Sequence, residues 1–431
     1  MTDEKTPLPE KGTSSFRELI KNRNFLKLWI SQICSTVATR MITLALIINV
    51  FQTTKSSTLV VLLVFAFAVP ALIFGLPAGA YVDRHSRKNT LIYTNVSQAF
   101  LMLTFLITGG NIFLILLVVF IYASINQLYI PAEASMIPYL VPEKDLLGAN
   151  SLFMFTVYGS LIVGYGMAGP IMLIFGNNAP FIISFVLLFI AFLASVLLPA
   201  DKFKLAKTKA KKIFIGIIKE LKEAYAFIKS KKAVSQAILR LTFIQALIGA
   251  LAILIPAYSD RILHMDVRTV SVLFITPVGI GTVIGAILIS KIGKRVDIKK
   301  FVKRTIIVEG LTIGLMGAIY PVGRFLKTHF TLSFLTNKNL LVAIGFIVTF
   351  LGLESAMVIV ASQTELQRHT PFEIRGRVFA VFGIFVTIAA LLPMLFMGAL
   401  ADLFSVTTVF ILAGLLLLIY GILTSAKEVS L

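Results

Sequence analysis

Charged residues are scarce in this chain: Asp, Glu, Lys and Arg make up only 14% of its 431 residues. Soluble domains carry about 25%, so this composition excludes an ordinary soluble globular protein. Hydrophobic residues account for 58% of the chain, and the mean hydropathy is +0.93. A chain of this composition is predicted to lie in a lipid bilayer.

Acidic residues are the rarer charged class, with 20 Asp and Glu against 40 Lys and Arg, for a net charge of +20. In a soluble protein this excess would indicate nucleic-acid binding. In a membrane protein it is typical of basic cytoplasmic loops, so we expect membrane lipids and no nucleic acid as partners. The single cysteine, Cys34, excludes a disulfide within the chain.

Sequence signals for an enzyme or a cofactor are also absent. The chain has no G-x-x-x-x-G-K-[ST] motif, which excludes ATP hydrolysis through a P-loop. None of the four histidines is spaced from another His or Cys as metal ligands are. We therefore expect no catalytic site, no metal and no cofactor, with a membrane-embedded enzyme or a sensor as a remote alternative.

Twelve apolar runs are long enough to cross the hydrocarbon as helices, which takes about 20 residues each. Backbone groups in lipid must be satisfied within the segment, so each run is predicted to be an α-helix. The predicted spans are 25–50, 58–82, 90–108, 111–135, 148–175, 179–199, 235–259, 268–290, 301–320, 339–362, 375–398 and 402–424.

The spans fall into two groups of six, separated by the longest polar stretch. Residues 1–24 lack the apolar core of a signal peptide. The linker holds eleven Lys, which either bind anionic lipid headgroups or only solvate a tether with a surface helix at 213–228. The predicted organisation is a cytoplasmic N-terminal segment 1–24, a six-helix bundle 25–199, a basic linker 200–234, a second six-helix bundle 235–424 and a cytoplasmic tail 425–431.

Basic residues decide the orientation. If the N-terminus is cytoplasmic, 32 Lys and Arg lie in cytoplasmic segments or the span ends next to them, and six lie in or next to external segments. Arg40 and Arg240 lie deeper within spans. Cytoplasmic loops carry the excess of positive charge. We therefore predict a multi-pass protein of the plasma membrane with both termini in the cytoplasm.

The short link between the second and third spans has the most distinctive sequence, G-L-P-A-G-A-Y-V-D-R-H-S-R-K over 75–88. So short a link forces a tight helical hairpin at the membrane surface. It resembles the signature between the second and third helices of major facilitator transporters: Gly, three residues, Asp-Arg, one residue, Gly, Arg-Lys. Ser86 stands where that family usually has Gly. The matching residues are Gly79, Asp83, Arg84, Arg87 and Lys88.

The two halves resemble each other weakly, since Gly398-Ala-Leu-Ala-Asp402 at the end of the eleventh span is similar to Gly79-Ala-Tyr-Val-Asp83. Two like halves around a central cavity are typical of transporters that alternate access. Further stretches resemble the drug/proton antiporter branch of the family, which includes bacterial macrolide exporters. These stretches are Leu140–Glu143, Ala149–Asn150, Arg375–Phe379, Pro393 and Ala401–Asp402.

This resemblance implies an all-α major facilitator fold, in which twelve transmembrane helices form two pseudo-symmetric six-helix bundles. It also implies a secondary transporter that exports small amphipathic compounds in exchange for protons, and we expect a monomer. The same branch resembles siderophore exporters and lysophospholipid flippases. A lipid flippase is therefore the alternative within transport.

Ionisable residues within spans cost about 2.5–3.5 kcal/mol each at mid-helix, so each is a candidate for function. Glu354 lies about 22 Å from the start of the tenth span, on a helix that the resemblance turns toward the cavity. We expect Glu354 to carry the proton, with Glu133 as the second candidate. The alternatives are a structural ion pair or a buried neutral acid for Glu354, and a position at the interface for Glu133.

Other polar residues of the spans are candidates for lining the cavity. Arg40 either pairs with Glu354, meets an anionic part of the substrate, or hydrogen-bonds backbone carbonyls. The neutral candidates are Gln32, Asn126, Tyr129 and Gln245. The resemblance makes the ninth helix peripheral, so we expect Glu309 to pair with a neighbouring basic residue. Arg240 and Asp260 lie near span ends and are expected to extend toward the interface.

Asp83 is expected to act as a gate at the cytoplasmic side. The N-terminal end of the eleventh helix carries Arg375 and Arg377. These cations and the helix dipole both favour a nearby carboxylate, by about 0.3–1 kcal/mol for the dipole alone. We predict that Asp83 faces this helix end when the cytoplasmic side is closed.

The distribution of basic residues makes a direct prediction about topology. Reporter fusions after Lys212 and at Leu431 are expected to report the cytoplasm, and fusions near Lys55 and Lys327 the exterior. A cytoplasmic signal at Lys327 would contradict the twelve-span arrangement.

Overall fold

The chain is almost wholly helical. The computed structural model describes residues 16–201, 210–292, 297–330 and 336–426, and within these ranges helices are joined by short turns without a β-strand. The first half contains α1 (Phe16–Lys21), α2 (Arg23–Thr54), α3 (Ser57–Val82), α4 (Arg87–Thr104), α5 (Ile112–Leu140), α6 (Leu146–Ser160), α7 (Gly166–Phe175) and α8 (Ala179–Val196).

The second half follows a linker helix. Its first span is divided into α10 and α11, and its second span begins with a π-helical turn. A π-helical turn, Ser271–Ile275, precedes α12, just as Leu161–Tyr165 joins α6 to α7 in the first half. The helices are α9 (Ala210–Ser230) in the linker, then α10 (Lys232–Ala252), α11 (Ile255–Arg261), α12 (Thr276–Ile292), α13 (Ile298–Phe330), α14 (Asn337–Arg368), α15 (Phe372–Leu403) and α16 (Val406–Ala426).

Eleven segments of the described chain are long and apolar enough to cross a membrane. The twelfth span is α4, which has only 18 residues and carries several polar ones. Its polar residues point into the protein rather than to lipid: Thr90, Thr94, Asn95 and Gln98 are all buried. Asn95 donates to Ser31 and Ser195 of neighbouring helices at 3.2 and 3.0 Å. The predicted all-α fold with twelve membrane helices is therefore confirmed.

The same helix pairs form in both halves. In the first half α3 packs on α5, and α4 packs on both α5 and α8. In the second half α12 packs on α14, and α13 packs on both α14 and α16. The second, third, fourth and sixth spans of each half therefore pack in the same pattern. The two halves are therefore built on a repeated arrangement of helices.

Two helix pairs of the second half touch backbone to backbone. A Cβ added at Gly352 of α14 would lie 2.2 Å from the carbonyl oxygen of Val278 on α12. Gly281, one turn beyond Val278 on α12, lies equally close to the backbone of α14. A Cβ at Gly414 of α16 would lie 2.5 Å from the backbone nitrogen of Gly314 on α13. Small residues permit such close approach between membrane helices. The pairs α12/α14 and α13/α16 are therefore packed too closely to admit a methyl group.

The turn after α3 does not need the glycine that the family signature has. Ser86 has φ −61° and caps α4, accepting a hydrogen bond from the Asn89 backbone N–H at 3.3 Å. Its hydroxyl donates to Asp201 at 2.5 Å, and the Arg87 backbone N–H donates to the same carboxylate at 2.7 Å. Serine therefore supplies two contacts, one within α4 and one to the end of the sixth span.

The Asp201 carboxylate lies outside the spans and is held ionised by these contacts. Burial alone would raise the pKa of Asp201, but the hydrogen bonds from Ser86 and the Arg87 backbone outweigh burial and hold this pKa below its ordinary value. The stability that this contact contributes is present above the ordinary carboxyl pKa. It is lost as the pH falls through the lowered pKa.

The close approach of α12 and α14 can be tested with two glycines of the same helix. Gly352→Ala is expected to destabilise the protein by about 1–3 kcal/mol, because the new methyl group overpacks the contact with Val278. Gly345→Ala is the matched control, since a Cβ there meets no atom within 4 Å among the described residues. The measurement is thermal unfolding in detergent. Equal unfolding temperatures for the two variants would contradict the backbone contact.

Candidate functional site

The two halves meet at one face of the membrane. We call the face with the turn between α3 and α4 the linker face, and the face with the turn at Lys55 the far face. At the far face, the Gly169 backbone N–H donates to the Ser271 hydroxyl at 3.0 Å. Ser271 in turn donates to the Tyr165 carbonyl at 2.9 Å. A Cβ at Gly169 would lie 2.0 Å from the Arg268 carbonyl oxygen, so the halves are in tight contact here.

Asp402, at the end of α15, makes the most extensive contact between the halves. Its carboxylate caps the N-terminus of α3, accepting from the backbone N–H groups of Ser57 and Thr58 at 3.0 and 2.9 Å. The hydroxyls of Ser56 and Thr58 each donate to it at 2.9 Å. Arg261 of α11 forms an ion pair with the same carboxylate at 2.8 Å. One acid thus joins α3 of the first half to α11 and α15 of the second.

The linker face lacks an equivalent contact at Asp83. The side chain of Asp83 is exposed and forms no hydrogen bond or ion pair with the residues that the structure describes. Arg377 instead pairs with Glu220 and Glu223 of α9 at 3.4 and 3.3 Å, while the side chain of Arg375 lies outside the described residues. The predicted contact between Asp83 and the start of α15 is not formed in this conformation. It remains a prediction for the closed linker face.

The other signature residues hold the linker-face hairpin to its own half. Lys88 donates to the Leu198 carbonyl at 2.6 Å, and the Arg87 backbone donates to Asp201. A Cβ at Gly79 would meet no described atom within 4 Å. Arg84 is half-buried beside Asp83. Asp402 therefore joins the halves at the far face, whereas Asp83 at the linker face has no partner among the described residues.

Glu354 lies between α14 and α13 and is 2% exposed. Its Oε1 lies 3.3 Å from the hydroxyl of Thr312 on α13. Its Oε2 has no hydrogen-bond partner among the described residues. The resemblance implies that the helix of Glu354 turns toward a cavity, but in this conformation the acid is buried at the interface of α14 and α13.

Glu309 of α13 is fully buried and close enough to Glu354 for the two charges to interact. Its Oε1 accepts a hydrogen bond from the Ser355 hydroxyl at 2.6 Å, and its Oε2 has no partner in the described part of the chain. The basic partner expected for Glu309 was wrong. The rotation of α13 turns this acid toward α14 rather than toward a cation, and that rotation is not visible in the sequence.

Arg40 does not pair with Glu354 in this conformation. Its guanidinium carbon lies 5.8 Å from the centre of the Tyr165 ring, and its Nε is buried without a hydrogen-bond partner among the described residues. A Cβ at Gly164 would lie 2.5 Å from the Cβ of Arg40. The arginine is therefore fixed against the π-helical turn of the fifth span.

The neutral candidates are divided between the interior of the first half and the second half. Gln32 donates to the Phe153 carbonyl at 3.3 Å, and Gln98 donates to Asn126 at 3.3 Å. Tyr129 is 4% exposed and donates to Glu133 at 2.6 Å. Gln245, on α10, has a buried Nε2 without a partner in the described chain. These residues do not form one cluster with Glu354.

Sequence reasoning missed a buried ion pair at the linker-face end of the second half. Arg240 of α10 binds Glu365 of α14 at 2.7 Å, with side chains only 12% and 9% exposed. The expectation that Arg240 extends to the interface was therefore wrong. The signal that could have found this pair is an arginine within the seventh predicted span and a glutamate just past the end of the tenth. Asp260 does lie at an exposed edge, where it binds Lys55 at 2.7 Å.

Comparison with known proteins identifies the family. The family model described as Major Facilitator Superfamily matches residues 28–352. The chain belongs to the Major Facilitator Superfamily. Membership makes it a membrane transporter and not an enzyme. The resemblance inferred from the hairpin signature is thereby confirmed.

Curated relatives within this superfamily are distant. The chain is 23% identical over 416 residues to an uncharacterized MFS-type transporter, YfiS, of Bacillus subtilis, covering 95% of this chain and 94% of that protein. It is 22% identical over 408 residues to Macrolide efflux protein A of Streptococcus pyogenes, covering 92% and 94%. Both matches span nearly the whole of each chain.

Solved structures share the fold at still lower identity. A bacterial homologue of the human lysosomal transporter Spinster, in an inward-facing and unoccupied conformation, aligns with a TM-score of 0.69 at 14% identity, covering 95% of this chain and 96% of that one. The nucleoside transporter NupG aligns with a TM-score of 0.67 at 14% identity, covering 93% and 98%. These likenesses establish the major facilitator fold.

The role of Asp402 at the far face can be tested by removing its carboxylate. Asp402→Ala removes the cap of α3, worth about 0.5–2 kcal/mol, and should raise the far-face-open population at least about twofold. The measurement is the distance distribution between spin labels at Thr53 and Leu403 in a Cys34→Ser background. Asp260→Ala is the control, because it removes a single exposed ion pair worth about 0–1 kcal/mol. An unchanged distribution in Asp402→Ala would contradict the role assigned to this acid.

Proposed function

We propose that this transporter exports small amphipathic compounds across the plasma membrane in exchange for protons. Three findings support the proposal. The chain belongs to a family of secondary transporters. One of its full-length relatives is named as a macrolide efflux protein. Glu354, an acid at mid-membrane, is buried without a cation beside it among the described residues.

The burial of Glu354 is the observation that carries proton coupling. An ionised carboxylate in an apolar interior is strongly disfavoured unless a cation or several hydrogen bonds compensate it. Glu354 has one long hydrogen bond and an Oε2 without a partner in the described part of the protein. It is therefore proposed to hold a proton in this conformation. A conformation that wets it would allow the proton to leave.

The orientation inferred from the basic residues indicates which step of the transport cycle the conformation in the structure represents. With the linker face in the cytoplasm, the structure corresponds to a state whose external face is closed by the contacts of Asp402 and Gly169. An exporter that exchanges substrate for protons arrives in this state with the proton still bound. Binding of substrate from the cytoplasm then displaces the proton, and the loaded protein reopens outward.

Glu354→Gln tests this cycle directly. Glutamine mimics the protonated acid in size but cannot titrate, so the variant should lose transport driven by a pH gradient and keep downhill exchange of substrate. The measurement is transport of ethidium, a cationic amphipathic dye, and of a macrolide in proteoliposomes under an imposed pH gradient. Glu143→Gln is the matched control, because Glu143 is an exposed acid in a short turn outside the spans.

Three results would contradict the proposal. Unchanged pH-driven transport in Glu354→Gln would exclude this acid as the carrier and leave Glu133 as the next candidate. If both transport activities and the yield of folded protein fall together, Glu354 has a structural role. Transport by the unmutated protein that ignores both the pH gradient and the membrane potential would favour the lipid flippase.

A further inference from the structure

Glu309 and Glu354 are connected by reciprocal contacts between two helices. On α13, Thr312 lies one turn beyond Glu309 and approaches Glu354 across the interface. On α14, Ser355 follows Glu354 and donates to Glu309. Each acid therefore contacts a hydroxyl that is carried by the helix of the other acid. Neither carboxyl can change its charge or position without affecting both helices.

The hydroxyl of Thr312 shows which form of Glu354 fits this arrangement. A threonine hydroxyl has one proton to donate and lone pairs that accept. Thr312 Oγ1 lies 2.9 Å from the Val308 carbonyl oxygen, which can only accept, and 3.3 Å from Glu354 Oε1. Its proton is therefore engaged by the carbonyl. A protonated Glu354 can donate to the remaining lone pair, whereas an ionised Glu354 cannot be satisfied there.

The contact at Glu309 is of a different kind. The Ser355 hydroxyl donates to Glu309 Oε1 at 2.6 Å, which is within the range of a hydroxyl bonded to an ionised carboxylate. One acid of the pair thus has the environment of a protonated carboxyl, and the other has that of an acceptor. This asymmetry is expected when two neighbouring acids share a proton.

Described cations on the surrounding helices do not compensate this pair. On α13 itself, Lys303 and Arg304 are rotated about 120–140° away from Glu309 at 100° per residue. Arg240 of α10 is bound by Glu365, about 16 Å along α14 from Glu354. Three further titratable groups of the packed helices lie away from the pair. They are Tyr420 of α16, which packs on Phe243, Tyr258 of α11, which donates to the Met316 carbonyl, and Lys291, exposed near the end of α12.

We propose that Glu309 and Glu354 form a single proton-binding site, in which Glu309 is a second proton-binding residue of the transport reaction. The proposal rests on the role of Glu354 in the function proposed above and extends it to the peripheral ninth span. The proton moves between a carboxyl oxygen of the pair and water that enters when the interface opens. Each carboxyl makes loss of the proton from the other less favourable, because two negative charges would then be buried side by side.

The first test reads protonation in the purified protein without any substrate. Infrared difference spectroscopy follows the C=O stretch of protonated carboxyl groups through a pH titration. Glu354→Gln should lose one such band. Glu309→Gln should keep the Glu354 band but shift the midpoint of its pH titration to lower pH, by about one pH unit or more. The reason is that the negative charge of Glu309, which opposes ionisation of Glu354, is removed. Glu143→Gln is the control and should leave the midpoint unchanged, because Glu143 is exposed in a short turn. A midpoint in Glu309→Gln equal to that of the unmutated protein would overturn the inference.

The second test asks whether the two acids act as a unit during transport. The pH dependence of ethidium transport is measured in Glu309→Gln, Glu354→Gln and the double variant. If the two acids share one site, the single variant Glu309→Gln shifts the pH profile of transport. The same substitution then has no further effect when it is added to Glu354→Gln. Additive effects, or a loss of folded protein without a shift in pH profile, would make Glu309 structural.

Failure of this inference is distinguishable from failure of the proposed function. If Glu354→Gln abolishes pH-driven transport but Glu309→Gln has the unmutated pH profile, Glu354 remains the carrier and only the pairing is wrong. If Glu354→Gln transports normally while the infrared midpoint still responds to Glu309→Gln, the two acids share a proton that transport does not use.

Discussion

An acid from the second half caps a helix of the first half where the two halves meet at the far face. The first backbone N–H groups of α3 have no partner within their own helix, and the Asp402 carboxylate satisfies two of them. Arg261 approaches the same carboxylate, so helix dipole, hydrogen bonds and ion pair act at one point. The related sequence at Asp83 has no such contact among the described residues.

The buried acids of the second half, Glu365, Glu309 and Glu354, have very different surroundings. Glu365 is buried against Arg240, and removing either partner would leave an unpaired charge, which costs about 3–5 kcal/mol in buried pairs. Glu309 and Glu354 are buried against hydroxyl groups and each other. The Glu365 carboxylate has a cation at 2.7 Å, and this ion pair joins α14 to α10. Carboxyl groups without a cation are those suited to exchanging a proton.

Much of the fold followed from the sequence because lipid imposes simple rules on length and hydropathy. The helical hairpin and the twelve spans were predictable, including α4, whose polar face turns inward. Contacts between distant residues were not: Ser86 and Asp201 are 115 positions apart, and Arg240 and Glu365 are 125 apart. The partner of Glu309 was mispredicted because the rotation of a helix about its axis depends on packing. The sequence could identify Glu309 and Glu354 as acids within spans but could not place them against each other.

The glycine contacts described for α12/α14 and α13/α16 have a mechanical consequence. Each pair is locked along its length, because a methyl group cannot be inserted at Gly352 or Gly414 without displacing backbone. These two pairs are closely packed units within the second half, and Glu309 of α13 and Glu354 of α14 lie where the two units meet. A shear between the units that admits water to both carboxyl groups would leave the backbone contacts inside each unit intact.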